Sequence, residues 1–160
     1  MNIFLNNKRF KDKNLKDFDV LSKSFLGGII KKGHNKSAFS DYINFLEYLE
    51  LNYEFEEITP HEFFIFHLSK LKPIVGIRIK RVAGINYQLP CPISDLRSSK
   101  IAVKWFLQAL TNRGEKTFLS KLKGEALDLI KEKGLSLQRK SLHEKNILEN
   151  RAYMHFLKKN

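Results

Sequence analysis

The chain contains the stretch Arg81-Val82-Ala83-Gly84-Ile85-Asn86-Tyr87-Gln88-Leu89-Pro90, in which an Ala-Gly step separates two runs of alternating residues. Before the step, apolar residues from Val75 to Ile79 alternate with cationic ones. After it, apolar residues from Ile85 to Ile93 alternate with amides and prolines. A period of two on both sides of a turn that contains glycine predicts a β-hairpin, here at about residues 74–93.

The polar positions of this hairpin carry groups that bind nucleic acids. They are cations before the turn and amides after it, with a tyrosine between the two amides: Arg78, Lys80, Arg81, Asn86, Tyr87 and Gln88. Lysine and arginine bind phosphates, while amides and aromatic rings contact exposed bases. We therefore expect a protruding ribbon that binds nucleic acid.

Apolar residues at helical spacing predict about six helices around the hairpin. The clearest start signal is Thr59-Pro60-His61-Glu62, where Thr is a good N-cap, Pro suits the first helical position, and Glu completes a capping box. The first helix is expected from Asp19, with Lys31 and Lys32 in its last turn and Gly33 as its stop. The other expected helices follow the cap region at Ser94-Asp95 or cover about 36–51, 116–133 and 139–157. The expected fold is mainly α, a bundle of about six helices with one β-ribbon.

Composition divides the chain into an arm and one domain. Residues 1–17 are polar, basic and without periodicity, so we expect a flexible arm that orders on binding. Residues 18–160 are expected to form a single helical domain that carries the ribbon. The cations of the arm that we assign to RNA are Lys8, Arg9, Lys11 and Lys13.

The overall charge favours a polyanionic partner. Twenty-nine Lys and Arg against seventeen Asp and Glu leave a formal charge of +12, which favours nucleic acid first and an anionic membrane second. No apolar run approaches the length of a membrane span. Residues 47–62 hold six Glu and no Lys or Arg. We expect this acidic segment to face solvent, a basic protein neighbour or the side turned away from RNA.

The sequence carries no recognisable catalytic motif. It lacks the Gly-rich phosphate loops, H-E-x-x-H and C-x-x-C, and its five histidines have no metal-ligand spacing. We therefore expect no enzyme activity, no catalytic residue, no cofactor and no bound metal. The enzymatic alternative is a nuclease with scattered carboxylate ligands and magnesium-dependent cleavage.

Four ordered segments resemble the ribosomal protein S seven family. The ribbon resembles that family's "R-R-V-G-G-x-x-Y-Q-V-P", and Lys31-Lys32-Gly33-His34-Asn35-Lys36-Ser37-Ala38 resembles its "D-G-K-K-S-x-A" junction. Ala102-Val103-Lys104-Trp105 resembles "A-x-R-W", and Asn150-Arg151-Ala152-Tyr153-Met154-His155-Phe156 resembles "N-[KR]-A-F-A-H-[YF]". The matches cover roughly residues 20 to 157.

The resemblance implies a structural protein of the small ribosomal subunit. It would bind the 3′ major domain of small-subunit rRNA, support assembly of the head beside other small-subunit proteins, and border exit-site tRNA and mRNA. Together with the charge pattern, it assigns to rRNA, besides the arm, Lys31, Lys32, Lys36, Arg78, Lys80, Arg81, Arg97, Lys100, Lys104, Arg113, Lys116, Arg139, Lys140 and Arg151. The ribbon residues near the exit site would be Arg81, Gly84, Asn86, Tyr87 and Gln88. Because Tyr87 alternates with the apolar residues of its strand, the sequence leaves open whether it packs in the protein or stacks on a base.

Three departures from the family pattern bear on origin. Ala83 replaces a motif glycine, and the basic run at 138–145 is thinned. His143 is displaced by one position from the place of the family's motif histidine, so we carry over no family role to it. With a composition heavy in Lys, Asn, Ile and Phe, these features favour a mitochondrial ribosome, with the bacterial cytoplasm or a plastid as the alternative. The alternative function is a stand-alone basic DNA- or RNA-binding regulator.

Overall fold

The computed structural model describes residues 15–30, 32–55 and 58–157. The described part is mainly helical with one antiparallel two-stranded hairpin, which confirms the predicted fold class. Its elements are α1 (Leu15–Ile29), α2 (Asn35–Asn52), α3 (Pro60–Ser69), β1 (Val75–Val82), β2 (Ile85–Pro92), α4 (Asp95–Asn112), α5 (Phe118–Ile130), α6 (Leu135–Glu149) and a C-terminal 3₁₀ segment (Asn150–Leu157).

Four phenylalanines from four helices form the centre of the core. Phe25 of α1, Phe45 of α2, Phe64 of α3 and Phe106 of α4 are fully buried. The ring centroid of Phe64 lies 5.1 Å from those of Phe25 and Phe45 and 5.6 Å from that of Phe106, all edge-on. Edge-to-face rings are favourable beyond their buried area, so truncating one to alanine is expected to cost about 3–5 kcal/mol.

The start of α3 is capped as the sequence predicts. The Thr59 backbone N–H donates to the Glu62 carboxylate at 3.0 Å, and the Glu62 N–H donates to the Thr59 hydroxyl at 3.2 Å. Pro60 occupies the first helical position. The capping box satisfies two backbone donors that would otherwise lack a partner, which fixes the point where the chain enters the core.

The start of α6 differs from the prediction, because another helix caps it. The helix begins at Leu135 and not near Arg139. The Ser136 N–H and hydroxyl donate to the carboxylate of Glu125 on α5, at 3.0 and 2.7 Å. Since the capping group lies eleven residues away, no local sequence signal marks this start. The helix gives way to the 3₁₀ segment at Asn150, within the helix predicted to reach residue 157.

The first helix also has different ends from those predicted. It begins at Leu15 and so includes the last three residues of the predicted arm. It ends at Ile29, so Lys32 lies after the helix and not in its last turn. Gly28 brings α1 close to α4, because a Cβ there would lie 2.6 Å from Leu107 Cδ1. Residues 1–14 of the predicted arm lie outside the described residues.

Candidate RNA interface

The ribbon turns on a two-residue loop with left-handed backbone. Ala83 has φ +49° and Gly84 has φ +84°, and Val82 pairs with Ile85 across the turn. Positive φ at both loop residues is typical of the tight turn that matches the twist of a hairpin. Glycine adopts this conformation without steric cost, whereas the Cβ of Ala83 is strained in it.

The register places each cation beside a residue of the opposite strand. Arg78 pairs with Leu89, Lys80 with Tyr87, and Arg81 with Asn86. Because paired residues point to the same side of an antiparallel ribbon, each face mixes apolar and polar side chains. The ribbon therefore has no wholly apolar face.

The base of the ribbon is fixed to the helical body. Leu89 is fully buried and Pro90 is also buried. The ring Nε2 of His143 on α6 lies 2.9 Å from the Val75 carbonyl oxygen, so His143 donates to the first residue of β1. The His143 ring also packs 5.0 Å from that of Trp105. This contact gives His143 a role that the sequence resemblance did not.

The middle of the ribbon is held by the 3₁₀ segment. The Tyr87 ring lies 5.0 Å from that of Tyr153 and 5.1 Å from that of Phe156. Lys80 Nζ donates to the Phe156 carbonyl oxygen at 2.9 Å. Tyr87 is thus packed in this structure, where the sequence left packing and base stacking open. These contacts fix the orientation of the ribbon's middle.

The outer part of the ribbon is exposed. Arg78, Arg81, Asn86 and Gln88 are exposed, and neither arginine side chain forms an ion pair or hydrogen bond with a described residue. The apolar Ile79 and Ile85 are 67% and 58% exposed. An exposed surface with cations, amides and apolar side chains can contact both phosphates and bases.

A second group of cations follows one side of α4. Arg97, Lys100 and Lys104 are spaced by three and four residues, so they form one exposed stripe along the helix. Elsewhere, Lys32, Lys36, Lys116 and Arg151 are exposed. The backbone of Lys32 is left-handed with φ +51°, which helps turn the chain between α1 and α2.

Arg113 differs from the other predicted RNA contacts, because carboxylates of the protein bind its guanidinium; its contact with RNA stays a prediction. It contacts the carboxylates of Glu115, Glu125 and Asp128 at 2.9, 3.0 and 2.6 Å, and Glu125 is fully buried. Gly124 leaves room for it, since a Cβ there would lie 2.8 Å from Arg113 Cζ. Burial lowers the pKa of Arg113, but the bonds to the three carboxylates outweigh it, so the net pKa is raised. We assign Arg113 a structural role.

Two other predicted cations also join elements of the body. Arg139 Nη1 donates to the side-chain oxygen of Gln108 on α4 at 2.7 Å. Lys140 Nζ donates to the Lys70 carbonyl oxygen at 2.7 Å and lies 3.8 Å from a Glu144 carboxylate oxygen. Both side chains are half-buried. Their part in RNA binding stays a prediction beside this observed packing role.

The remaining predicted residues fall outside the described part of the chain: Lys8, Arg9, Lys11, Lys13 and Lys31. In the acidic segment, Glu47, Glu50, Glu54 and Glu62 are exposed. The described ranges contain no group of three or more His, Cys, Asp or Glu able to hold a metal ion. No helix within them is long and apolar enough to cross a membrane.

Sequence reasoning missed the contact of His143 with the ribbon. The side of α6 that packs on the body carries Ser136, Lys140 and His143 as buried or half-buried residues, whereas Leu142 and Leu148 are 58% and 69% exposed. Apolar periodicity therefore does not mark the inward side of this helix, and no local signal names the partner of His143 on the ribbon.

The exposed ribbon and the α4 stripe belong to a chain that matches a known protein family. The family model described as "Ribosomal protein S7p/S5e" matches residues 2–151. The chain belongs to the ribosomal protein S7p/S5e family. The small ribosomal subunit protein uS7 of Acinetobacter baumannii is 30% identical over 132 residues, covering 82% of this chain and 83% of that protein. Its counterpart in Rickettsia bellii is 28% identical over 143 residues, covering 89% and 86%.

Family membership confirms the resemblance deduced from the ribbon and its flanking motifs. The uS7 protein of Sphingopyxis alaskensis, 28% identical over 140 residues, covers 86% of each chain. These three relatives are bacterial, so they do not support the mitochondrial assignment and are in line with the bacterial alternative.

Proposed function

We propose that this chain is a structural protein of the small ribosomal subunit that binds the 3′ major domain of small-subunit rRNA. It supports assembly of the head beside other small-subunit proteins, and its ribbon borders the exit-site tRNA and the mRNA path. The observation that carries the proposal is the S7p/S5e family match over residues 2–151. The ribbon supports it physically, because its base is anchored while Arg78 and Arg81 remain exposed.

The proposed RNA interface comprises cations that the structure leaves exposed. On the described chain these are Lys32, Lys36, Arg78, Arg81, Arg97, Lys100, Lys104, Lys116 and Arg151, with the ribbon amides Asn86 and Gln88. Each phosphate contact releases counterions, so affinity should fall steeply with salt. The lysines and arginine of residues 1–14 and Lys31 extend the proposal to the arm and the α1–α2 junction.

Crosslinking to RNA in cell or organelle extract, followed by sequencing of the attached RNA, tests this function. We expect crosslinks concentrated in the 3′ domain of small-subunit rRNA and co-sedimentation with that subunit. Crosslinks scattered over messages, or found on DNA, would instead support the stand-alone regulator. Magnesium-dependent cleavage that is lost when a carboxylate is replaced would support the nuclease and contradict our proposal of no enzyme activity.

The compartment is a separate part of the proposal. The Lys-, Asn-, Ile- and Phe-rich composition and thinned motifs favour a mitochondrial ribosome, whereas the bacterial relatives favour a bacterial one. Locating the gene tests the assignment: a mitochondrial genome would support a mitochondrial ribosome, a bacterial chromosome would exclude it, and a plastid genome would support the plastid alternative.

A further inference from the structure

A groove between α1, α4 and α5 lies beside the cationic stripe of α4. Its volume is about 620 Å³, within the range of about 300–1,000 Å³ found for small-ligand sites. Its apolar lining comes from Val103, Leu107, Leu110 and Phe118. Such a lining offers a dry surface to a flat apolar group and no hydrogen bonds along its floor.

Cations surround this apolar floor. Lys100, Lys104 and Lys121 line the groove, and none of them forms an ion pair with a described residue. Gln108, also in the lining, accepts a hydrogen bond from Arg139 at 2.7 Å. Four positive groups therefore lie at or next to the groove without a carboxylate among its lining residues.

The groove depends on a close approach of two helices. Gly28 of α1 lines it, and a Cβ at that position would lie 2.6 Å from Leu107 Cδ1 and 3.4 Å from Val103 Cγ1. An added Cβ there would displace the Leu107 side chain and touch that of Val103. The shape of the groove is thus fixed by packing between α1 and α4 and does not rely on a flexible loop.

We propose that this groove binds one unpaired nucleotide of an RNA strand, with its base on the apolar floor and its phosphates on the lysines. An apolar floor below a cationic rim is complementary to a nucleotide, which joins a flat ring to an anionic backbone. A base in a duplex is stacked on both faces, so only an unpaired one can enter. This proposal rests on the proposed function and adds that the RNA bound in the groove is unpaired.

Binding of fluorescein-labelled single-stranded hexauridine tests the groove directly. Thr111 lines the groove and is exposed, while its neighbour Asn112 is exposed and does not line it. Thr111→Glu and Asn112→Glu add the same charge at the same end of α4. We expect Thr111→Glu to weaken hexauridine binding at least about tenfold relative to Asn112→Glu, because its carboxylate faces the phosphates. Equal binding by the two variants would overturn the proposal.

A second pair of variants tests the groove independently of whether Thr111→Glu folds. Lys121→Ala removes a groove lysine, and Lys131→Ala removes an exposed lysine just beyond the same helix. Only Lys121→Ala should weaken binding and reduce its salt dependence, by about one phosphate contact. Hexauridine containing 4-thiouridine should crosslink to Phe118. Crosslinks confined to residues 1–14 would show that the arm binds the probe and would overturn the groove proposal.

These outcomes are distinct from failure of the proposed function. If extract crosslinks reach the 3′ domain of rRNA but the paired variants bind hexauridine alike, only the groove proposal fails. If extract crosslinks miss rRNA, the ribosomal proposal fails whatever hexauridine does. Binding of a peptide of alternating Leu and Glu that is sensitive to Thr111→Glu, with none of hexauridine, would overturn the nucleotide in favour of an acidic protein partner.

Discussion

The α4–α5 junction and the β-ribbon both hold arginines that the sequence assigns to RNA, yet the structure surrounds them differently. Arg113 at the junction contacts three carboxylates, one of them fully buried. Arg78 and Arg81 on the ribbon are exposed and contact no described carboxylate. A count of cations therefore overstates a proposed RNA interface wherever carboxylates lie nearby in the fold. Replacing an arginine by alanine should lower stability at the junction and RNA binding at the ribbon.

Among the variants that test this difference, Arg113→Ala should have the largest effect. Removing one partner of a buried ion pair leaves an uncompensated charge at Glu125, so we expect a loss of about 3–5 kcal/mol in the free energy of unfolding. Urea unfolding followed by circular dichroism measures it. Arg81→Ala is the matched control and should change stability by no more than about 0.5 kcal/mol. Equal stability of the two variants would remove the structural role from Arg113.

Replacing both exposed ribbon arginines should give the opposite result. For Arg78→Ala with Arg81→Ala we expect near-normal stability but weaker binding to a 3′-domain rRNA fragment. The slope of log affinity against log salt should become shallower by about two, one for each lost phosphate contact. Fluorescence titrations at several salt concentrations measure this slope. An unchanged slope would mean that the two arginines do not contact phosphates.

Local sequence patterns predicted the features of the fold that depend on residues close together in the chain. The hairpin at 75–92, the capping box at Thr59 and Glu62, and the buried stripe through Phe106 all follow from local spacing. The family match confirms the family that the ribbon motif indicated. These features are predictable because each is fixed by residues within a few turns of the chain.

Local sequence patterns did not predict contacts between segments that are distant in the chain. Glu125 both caps α6 through Ser136 and pairs with Arg113, and neither bond leaves a local signal. The same holds for Tyr87, whose partners lie more than sixty residues away in the 3₁₀ segment. Which cations stay exposed and where α6 starts therefore depend on tertiary packing, which a single sequence does not display.

A change of pH offers a third way to distinguish the helical body from the ribbon, because the body holds a buried histidine and the ribbon holds none. Burial lowers the pKa of His67 to about 4, and a nearby Lys70 adds to this. The unfolded histidine titrates near 6.5, so the unfolded chain binds more protons between pH 6.5 and 4. Stability contributed by neutral His67 should therefore be present above pH 6.5 and be lost as pH falls towards 4.

His67→Gln isolates that contribution from the carboxylates that titrate at lower pH. We expect urea unfolding of the variant to vary less with pH between 6.5 and 4 than that of the unaltered protein. The Arg78→Ala, Arg81→Ala double variant should keep the full dependence, because neither arginine titrates in this range. If His67→Gln retains the same pH dependence, the buried histidine is not its source.

The smallest expected effect concerns the turn of the ribbon, where two adjacent residues share a left-handed backbone. Ala83→Gly should stabilise the ribbon by about 0.5–1 kcal/mol, because relief of Cβ strain outweighs the added freedom of the unfolded chain. Gly84→Ala is the reverse substitution; no atom lies within 4 Å of its added Cβ, so only backbone strain acts and the ribbon should weaken. Hydrogen exchange of the strand amides reports both changes, even where the ribbon opens without the body. Faster exchange in Ala83→Gly would mean that the turn in solution differs from the left-handed pair described here.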